Sequence, residues 1–442
     1  MNHSSLDQQA GVAATPEGGG KRQRSGYRHY VLGVLLVIFI FNFVDRQLLA
    51  VLSPEIKKEL ALTDTELGLL KGLAFALFYS VLGIPIAHLA DRTSRVTIIS
   101  VSIALWSAMT ALSGLSTNFA QLLLARIGVG IGEAGGTPPS HSLISDYFTR
   151  AERSTALAIL ALGVPIGTTF GFLAGGWLTI GLGWRMAFVA IGLPGLAVGL
   201  LTQLTLREPR RGCQDFDDGL PQPAGGMAAT IAALWRIPSY RTVSISGGLA
   251  ALCGYAVSMW IVDFLVRVHG LAYQDMLLEL ALAVGVGGGL GSYFGGRMSD
   301  HFGKRAPALY LAIPGFAMIA FAPFLIMALW SDSRPLIFIA FFFVFAMNYF
   351  CFGPFYGTVQ SLAPVRSRAM ATAFLFFIMA LAGAGLGPLI IGALSDALTP
   401  ANGSARALQL ALTSVSFISA ASGIYVVMRS GRLAADLAAR EK

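Results

Sequence analysis

Charged side chains are scarce in this chain, where Lys, Arg, Asp and Glu make up 12% of 442 residues. A soluble domain carries roughly 25%. With 55% of the residues hydrophobic, a soluble protein of this length would lack the polar surface that keeps it in solution. Cysteine is scarce too. Cys213, Cys253 and Cys351 are scattered, without a CxxC or a metal-ligand spacing. That excludes a disulfide framework and a cysteine metal site, and leaves free thiols. No GxxxxGK[ST] loop is present, so ATP is not the expected energy source. Neither HExxH nor a nucleophile elbow stands in a soluble setting, so no enzyme activity, cofactor or metal is expected.

Long apolar runs dominate instead. A helix needs roughly 20 apolar residues to cross about 30 Å of hydrocarbon. Such runs lie near 29–52, 68–90, 96–116, 121–143, 155–180 and 184–206, then near 241–264, 278–299, 307–330, 334–360, 370–395 and 404–429. They make two sets of six. The 51 glycines suit close helix packing in lipid, where small residues let backbones approach.

The net charge of +8 does not point to nucleic acid, because the basic residues sit in short clusters between apolar runs. With both termini cytoplasmic, 22 of the 31 Lys and Arg fall inside and 7 outside, as the positive-inside rule requires. A multi-pass protein of a bacterial inner membrane is expected. Residues 1–28 read as a disordered cytoplasmic tail with no cleavable signal. Residues 29–206 form one bundle and 207–240, with its acidic and Pro/Gly-rich stretch, a cytoplasmic linker. Residues 241–430 form the second bundle and 431–442 a short cytoplasmic tail. The loop after the second run, from Ala87 through Asp91 and Arg92 to Arg95, repeats after the eighth, from Gly295 through Asp300 and Lys304 to Arg305. Internal duplication predicts such a match.

That paired loop resembles the signature GxxxDRxGRR of the major facilitator superfamily, with Ser94 where Gly is usual. Arg126, Gly130 and Ala134 fit its RxxxGxxxA pattern, and Gly163, Pro165, Gly167, Gly171 and Gly175 resemble its Gly-Pro-rich fifth helix. The resemblance implies an all-α membrane fold of twelve transmembrane helices in two pseudo-symmetric six-helix bundles, with monomer as the default. Phe43, Asp45, Arg46 and Gln47 in the first helix, with Glu133 in the fourth, resemble the Spinster family. Those proteins are transporters of lysophospholipids and sphingolipids, with proton coupling proposed. An Asp-Arg pair in the first helix also occurs in organic-anion symporters of the superfamily. In family terms Asp91, Arg92, Arg95, Asp146, Arg150, Asp300, Lys304 and Arg305 form a cytoplasmic gate, against the simpler reading of a solvated basic loop.

Asp45 lies roughly 24 Å along the first helix at 1.5 Å per residue, and Arg126 at a similar depth in the fourth. Glu133 follows Arg126 by seven residues, two turns on the same face. A charge at the bilayer centre costs at least about 2.5–3.5 kcal/mol, so such residues face a cavity and serve function. The competing reading is two salt bridges that fix helix packing. A carboxyl group in an apolar cavity is drawn to its neutral form, and a nearby guanidinium draws it to the ionised one. Asp45 and Glu133 are therefore the candidate proton carriers. Arg126 is the candidate partner of an anionic headgroup, with Arg46 a second binding residue or a structural partner. Aromatic residues crowd the tenth helix, where Asn348, Tyr349 and Phe352 are candidates to line a cavity for an acyl chain. The five residues Gly163, Pro165, Gly167, Gly171 and Gly175 read as a helix-packing face. Asp263 and Glu279 fall near outer ends and are expected in solvent.

The expected function is thus proton-coupled transport of an amphipathic anionic lipid by alternating access, with membrane lipids, substrate and protons as the partners. The rivals are a symporter of small organic anions such as sugar acids, and an uncoupled lipid scramblase or sensor.

Overall fold

The structure is a computed structural model that describes residues 25–90, 92–209, 227–364 and 367–441. Its helices are α1 (Ser25–Leu60), α2 (Asp64–Lys71), α3 (Leu73–Ala90), α4 (Arg95–Ser113), α5 (Phe119–Glu133), α6 (Thr137–Tyr147), α7 (Arg150–Ala161) and α8 (Gly163–Thr205). The second half comprises α9 (Met227–Trp235), α10 (Pro238–His269), α11 (Tyr273–Leu282), α12 (Gly288–Gly303), α13 (Pro307–Trp330) and α14 (Arg334–Phe350). It ends with α15 (Phe352–Leu362), α16 (Arg368–Met379), α17 (Gly387–Asn402), α18 (Ser404–Arg429) and α19 (Arg432–Glu441). Ala283–Gly287 and Ala380–Leu386 are π-helical.

Among the described residues ten helical stretches are long and apolar enough to cross a membrane. The stretch Thr155–Thr205 holds two crossings, because Gly183 takes φ +75° and turns the chain between them. A side chain would be strained at that φ. The pair α5 and α6, broken by a short turn, makes one more crossing. Local chemistry sets the ends. Thr63 and Glu66 form a capping box at α2, and the side chains of Ser94 and Asn118 accept from Thr97 N and Gln121 N.

Each half packs on itself, α1 and α4 on α8, α10 and α13 on α18. Tyr27 Oη donates to Thr205 O, and Ser239 N donates to Asp436 Oδ2. The start of α1, the end of α8, the start of α10 and α19 thus share one end of the molecule, the terminal end. The halves meet toward the opposite, far end, through α1 with α10, α2 with α17, α8 with α11, and α3 with the Ala380–Leu386 segment. Glycines bring these backbones together. A Cβ on Gly68 would strike Pro388 O, one on Gly72 would strike Gly385 O, and one on Gly392 would strike Asp64 O. Nearer the terminal end α3 leaves this contact. Gly83 faces open space, and Val81, Ile84 and Leu89 are exposed.

Three boundaries differ from the sequence expectation. Helix α1 starts at Ser25, inside the expected tail, because Tyr27 ties its first turn to α8 and Arg28 pairs with Glu152 at 2.8 Å. Part of the expected linker is helix α9, whose Leu234 is buried and whose Trp235 meets Phe374 edge-on. The expected 431–442 tail is helix α19, with Leu433 buried and Asp436 capping α10. Asp91, residues 1–24 and 210–226 lie outside the described residues.

Candidate functional site

The four deep charges of the first half come together as two pairs. Arg46 Nε donates to Glu133 Oε2 at 2.8 Å, and its Nη2 lies 2.8 Å from the same oxygen. The guanidinium also sits 4.9 Å from the Phe43 ring, 4.8 Å from Phe75 and 5.0 Å from Tyr79. Helix spacing builds this cage: positions 43 and 46 share a face of α1, and 75 and 79 share a face of α3. Each ring contributes about 0.5–2 kcal/mol, so charge and aromatic faces together hold Arg46.

The second pair is looser. Arg126 Nη1 lies 3.4 Å from Asp45 Oδ2, while Thr110 Oγ1 donates to Asp45 Oδ1 at 2.7 Å. Arg126 Nε, Glu133 Oε1 and Gln47 Oε1 are buried without a hydrogen-bond partner among the described residues. Adjacent on α1, Asp45 and Arg46 therefore serve different partners on α5, as their separation of about 100° around the helix requires. Asp45 and Arg126 are almost fully buried, whereas the Arg46 side chain keeps 13% of its surface.

The second half supplies an aromatic ladder. Tyr349 meets Phe352 edge-on at 5.8 Å, Phe352 stacks on Tyr356 at 6.3 Å, and Tyr356 meets Phe376 at 5.1 Å. Tyr349 packs over Gly288 of α12. Asn348 points away from that ladder and binds α14 to α10. Its Nδ2 donates to Ala250 O at 2.9 Å, and the side chain packs against Gly254. Gly163, Gly167 and Gly171 lie against Phe39, Ile40, Phe43 and Gln47, and Gly175 against Leu48. The glycine face of α8 is thus the bed of α1, and Pro165 lies in its first turn.

At the terminal end Arg95 is buried and donates to Asp146 at 2.5 Å and to Ser142, both in the first half, and to Glu208 at 2.6 Å in the segment that follows α8. Arg92 is exposed, and Arg150 begins α7. Asp300, Lys304 and Arg305 are exposed on the second half. Asp300 and Lys304 border a depression of about 710 Å³ with Tyr293, Phe294, Arg297 and His301. Glu152 accepts from Arg28 and Thr149, and those hydrogen bonds hold it below the usual carboxylate range.

Asp263 corrects the sequence reading. It is fully buried, not solvated. Lys71 Nζ and Ser53 Oγ both donate to its Oδ2 at 2.5 Å, and Arg267 pairs with Oδ1 at 3.0 Å. Beside it Asp64 accepts from Lys57, from Arg267 at 2.8 Å and from Ser395 at 2.7 Å. Asp396 accepts from the backbone N–H groups of Asp64 and Thr65 at 3.0 and 2.7 Å, capping α2 from the opposite half. This network joins the halves at the far end. The sequence held a signal for it: Asp64 and Lys71 stand seven apart beside Gly68 and Gly72, and Asp263 and Arg267 four apart. Glu279 is partly exposed, as expected near an outer end, and pairs with Arg334 at 2.8 Å.

Comparison with known proteins places this geometry. Residues 35–388 match the family model described as Major Facilitator Superfamily. An "MFS-type efflux pump" of Mycolicibacterium smegmatis is 32% identical over 397 residues, which cover 88% of this chain and 90% of that protein. The "Sphingosine-1-phosphate transporter SPNS2" of Danio rerio is 29% identical over 388 residues, covering 83% of this chain and 76% of the relative. Among solved structures, a bacterial homolog of the human lysosomal transporter Spinster, inward-facing and unoccupied, superposes with a TM-score of 0.83. Its identity is 30%, with 93% of this chain and 98% of that one covered.

Proposed function

This chain belongs to the major facilitator superfamily, among its Spinster-like transporters, and from that premise we propose that it couples proton movement to the transport of an amphipathic anionic lipid. The observation that carries the reading is the contrast between the two arginines. Arg46 is held at 2.8 Å by Glu133 and by three rings. Arg126 reaches Asp45 only at 3.4 Å and keeps a buried Nε without a partner among the described residues. A phosphate or carboxylate headgroup competes for the looser guanidinium, because planar bidentate pairing is what a guanidinium offers.

Drawing Arg126 toward a headgroup leaves Asp45 with Thr110 alone, and a proton on Asp45 then removes an unpaired buried charge. Glu133 is the second carrier. Its Oε1 has no hydrogen-bond partner among the described residues, and a proton there weakens its hold on Arg46. The Tyr349–Phe352–Tyr356 ladder opposite accommodates the acyl chain and offers few of the polar groups that a sugar acid needs. By alternating access the substrate reaches this site from the terminal end when the far end is shut, as it is here. The Lys and Arg excess at the terminal end supports a cytoplasmic placing of that side, and the membrane we propose is a bacterial inner membrane.

The test is uptake of labelled lysophospholipid and of hexuronate into proteoliposomes, with and without a pH gradient. Wild type should take up the lysolipid faster with the gradient, and Asp45→Asn and Glu133→Gln should lose that stimulation. Identical behaviour of all three proteins would remove proton coupling. Preference for hexuronate, or Arg126→Ala with unchanged lipid affinity, would remove the lipid-headgroup reading.

A further inference from the structure

The proposed function concentrates on the middle of the molecule and leaves Lys71 unexplained. Among the described residues, each partner of its ammonium belongs to α10 of the opposite half: Asp263 Oδ2, Met259 O at 2.7 Å and the Trp260 ring at 4.0 Å. The side chain has no exposed surface. Its neighbours Gly68 and Gly72 lie against the backbone of Pro388, Ala384 and Gly385, also in the opposite half. When the halves part at the far end, Lys71 loses all these contacts together.

Its neighbours fare differently. Asp64 and Lys57 are both in the first half and keep one another. Asp263 and Arg267 are both on α10 and keep one another. In the closed state Lys57, Lys71 and Arg267 balance Asp64, Asp263 and Asp396. Of these six, once parted, Lys57, Lys71 and Asp64 leave one positive charge in excess on the first half, and Arg267, Asp263 and Asp396 leave one negative on the second. The positive excess has one residue behind it, Lys71, newly hydrated in the last turn of α2. Beyond the break at Gly72, α3 carries Phe75 and Tyr79, the rings that hold Arg46.

We propose that Lys71 is a second headgroup-binding residue, at which the anionic group takes the place of Asp263 once the far end opens. This rests on the anionic-lipid reading above. The ammonium that locks the halves in one state receives the substrate in the other, and the substrate's charge offsets the parting of the lock.

A lock alone and a lock that doubles as a binding site respond differently to the two partners. Asp263→Asn and Lys71→Gln break the same ion pair, but only the second removes the cation. With full-length protein oriented in liposomes, uptake from the far side is measured for lysophosphatidylglycerol and for uncharged monoacylglycerol. Lys71→Gln should raise KM for the anionic lipid about tenfold, the worth of one charge-assisted hydrogen bond, and leave the neutral one unchanged. Lys71→Arg should restore wild-type KM, and Asp263→Asn should not raise it. Equal effects of Lys71→Gln and Asp263→Asn, or equal effects on both lipids, would overturn the assignment while leaving the central site intact. Absence of any lysophosphatidylglycerol uptake by wild type would sink the anionic-lipid reading itself, and Lys71's role with it.

Discussion

Adding one methyl group to a glycine between the halves should act on the conformational equilibrium, whereas adding it within a half should act on folding. Gly392 of α17 and Gly130 of α5 are a matched pair for this test. A Cβ on Gly392 would collide with Asp64 O across the interface of the halves. A Cβ on Gly130 would collide with Phe75 O, inside the first half. Both obstacles are backbone carbonyls, which cannot swing aside as a side-chain tip does. Overpacking of this kind costs typically about 1–3 kcal/mol. At Gly392 the cost is borne only while the far end is closed, so the ratio of closed to open states should fall about 5- to 150-fold. At Gly130 the cost is borne in every folded state, so the melting temperature should fall with no change in that ratio. Ser395, buried at the far interface and bonded to Asp64, serves as the reporter when replaced by Cys. Labelling by a membrane-impermeant maleimide from the far side should accelerate with Gly392→Ala and not with Gly130→Ala. Equal labelling in the two backgrounds, with equal loss of melting temperature, would refute the claim that glycine contacts at the far end set the conformational balance.

Two further substitutions probe the central site. Thr110→Val removes the hydroxyl that donates to buried Asp45 at 2.7 Å and should cost about 1–3 kcal/mol. A fall in the thermal midpoint of detergent-purified protein registers it, and Thr110→Ser should restore most of the loss. Tyr79→Ala takes one of three rings from Arg46. It should destabilise by about 2 kcal/mol or more, measured in the same assay, while Tyr79→Phe retains the ring face and stays within about 0.5 kcal/mol of wild type.

The spans, the duplication and the family were legible because membrane crossing leaves a one-dimensional record, an apolar run of fixed minimum length. Helix ends were less so. Nothing in the hydropathy of residues 25–28 marks them as helix; the Tyr27–Thr205 and Arg28–Glu152 contacts that extend α1 are tertiary. The same holds for α19, whose few apolar residues become a core face only where the second half offers a surface.

That the four deep charges would meet was readable for a related reason. Asp45, Arg46, Arg126 and Glu133 stand in the middle of apolar runs, where a charge is costly enough to demand partners, and helical spacing narrows the choice of partner. How four charges divide into pairs is not fixed by spacing, and neither is the cage of Phe43, Phe75 and Tyr79, which needs two helices side by side. Lys71 and Asp263 escaped because they lie near the ends of their runs, where solvent is the cheapest assumption. The glycines at 68, 72, 385 and 392 reverse that assumption. By letting the two halves touch backbone to backbone they exclude water from a level at which an isolated helix would be wet. A charge near the end of a membrane helix is therefore better judged by the residues one turn away: beside bulky side chains it faces solvent, and beside glycines facing another helix it needs a partner from that helix.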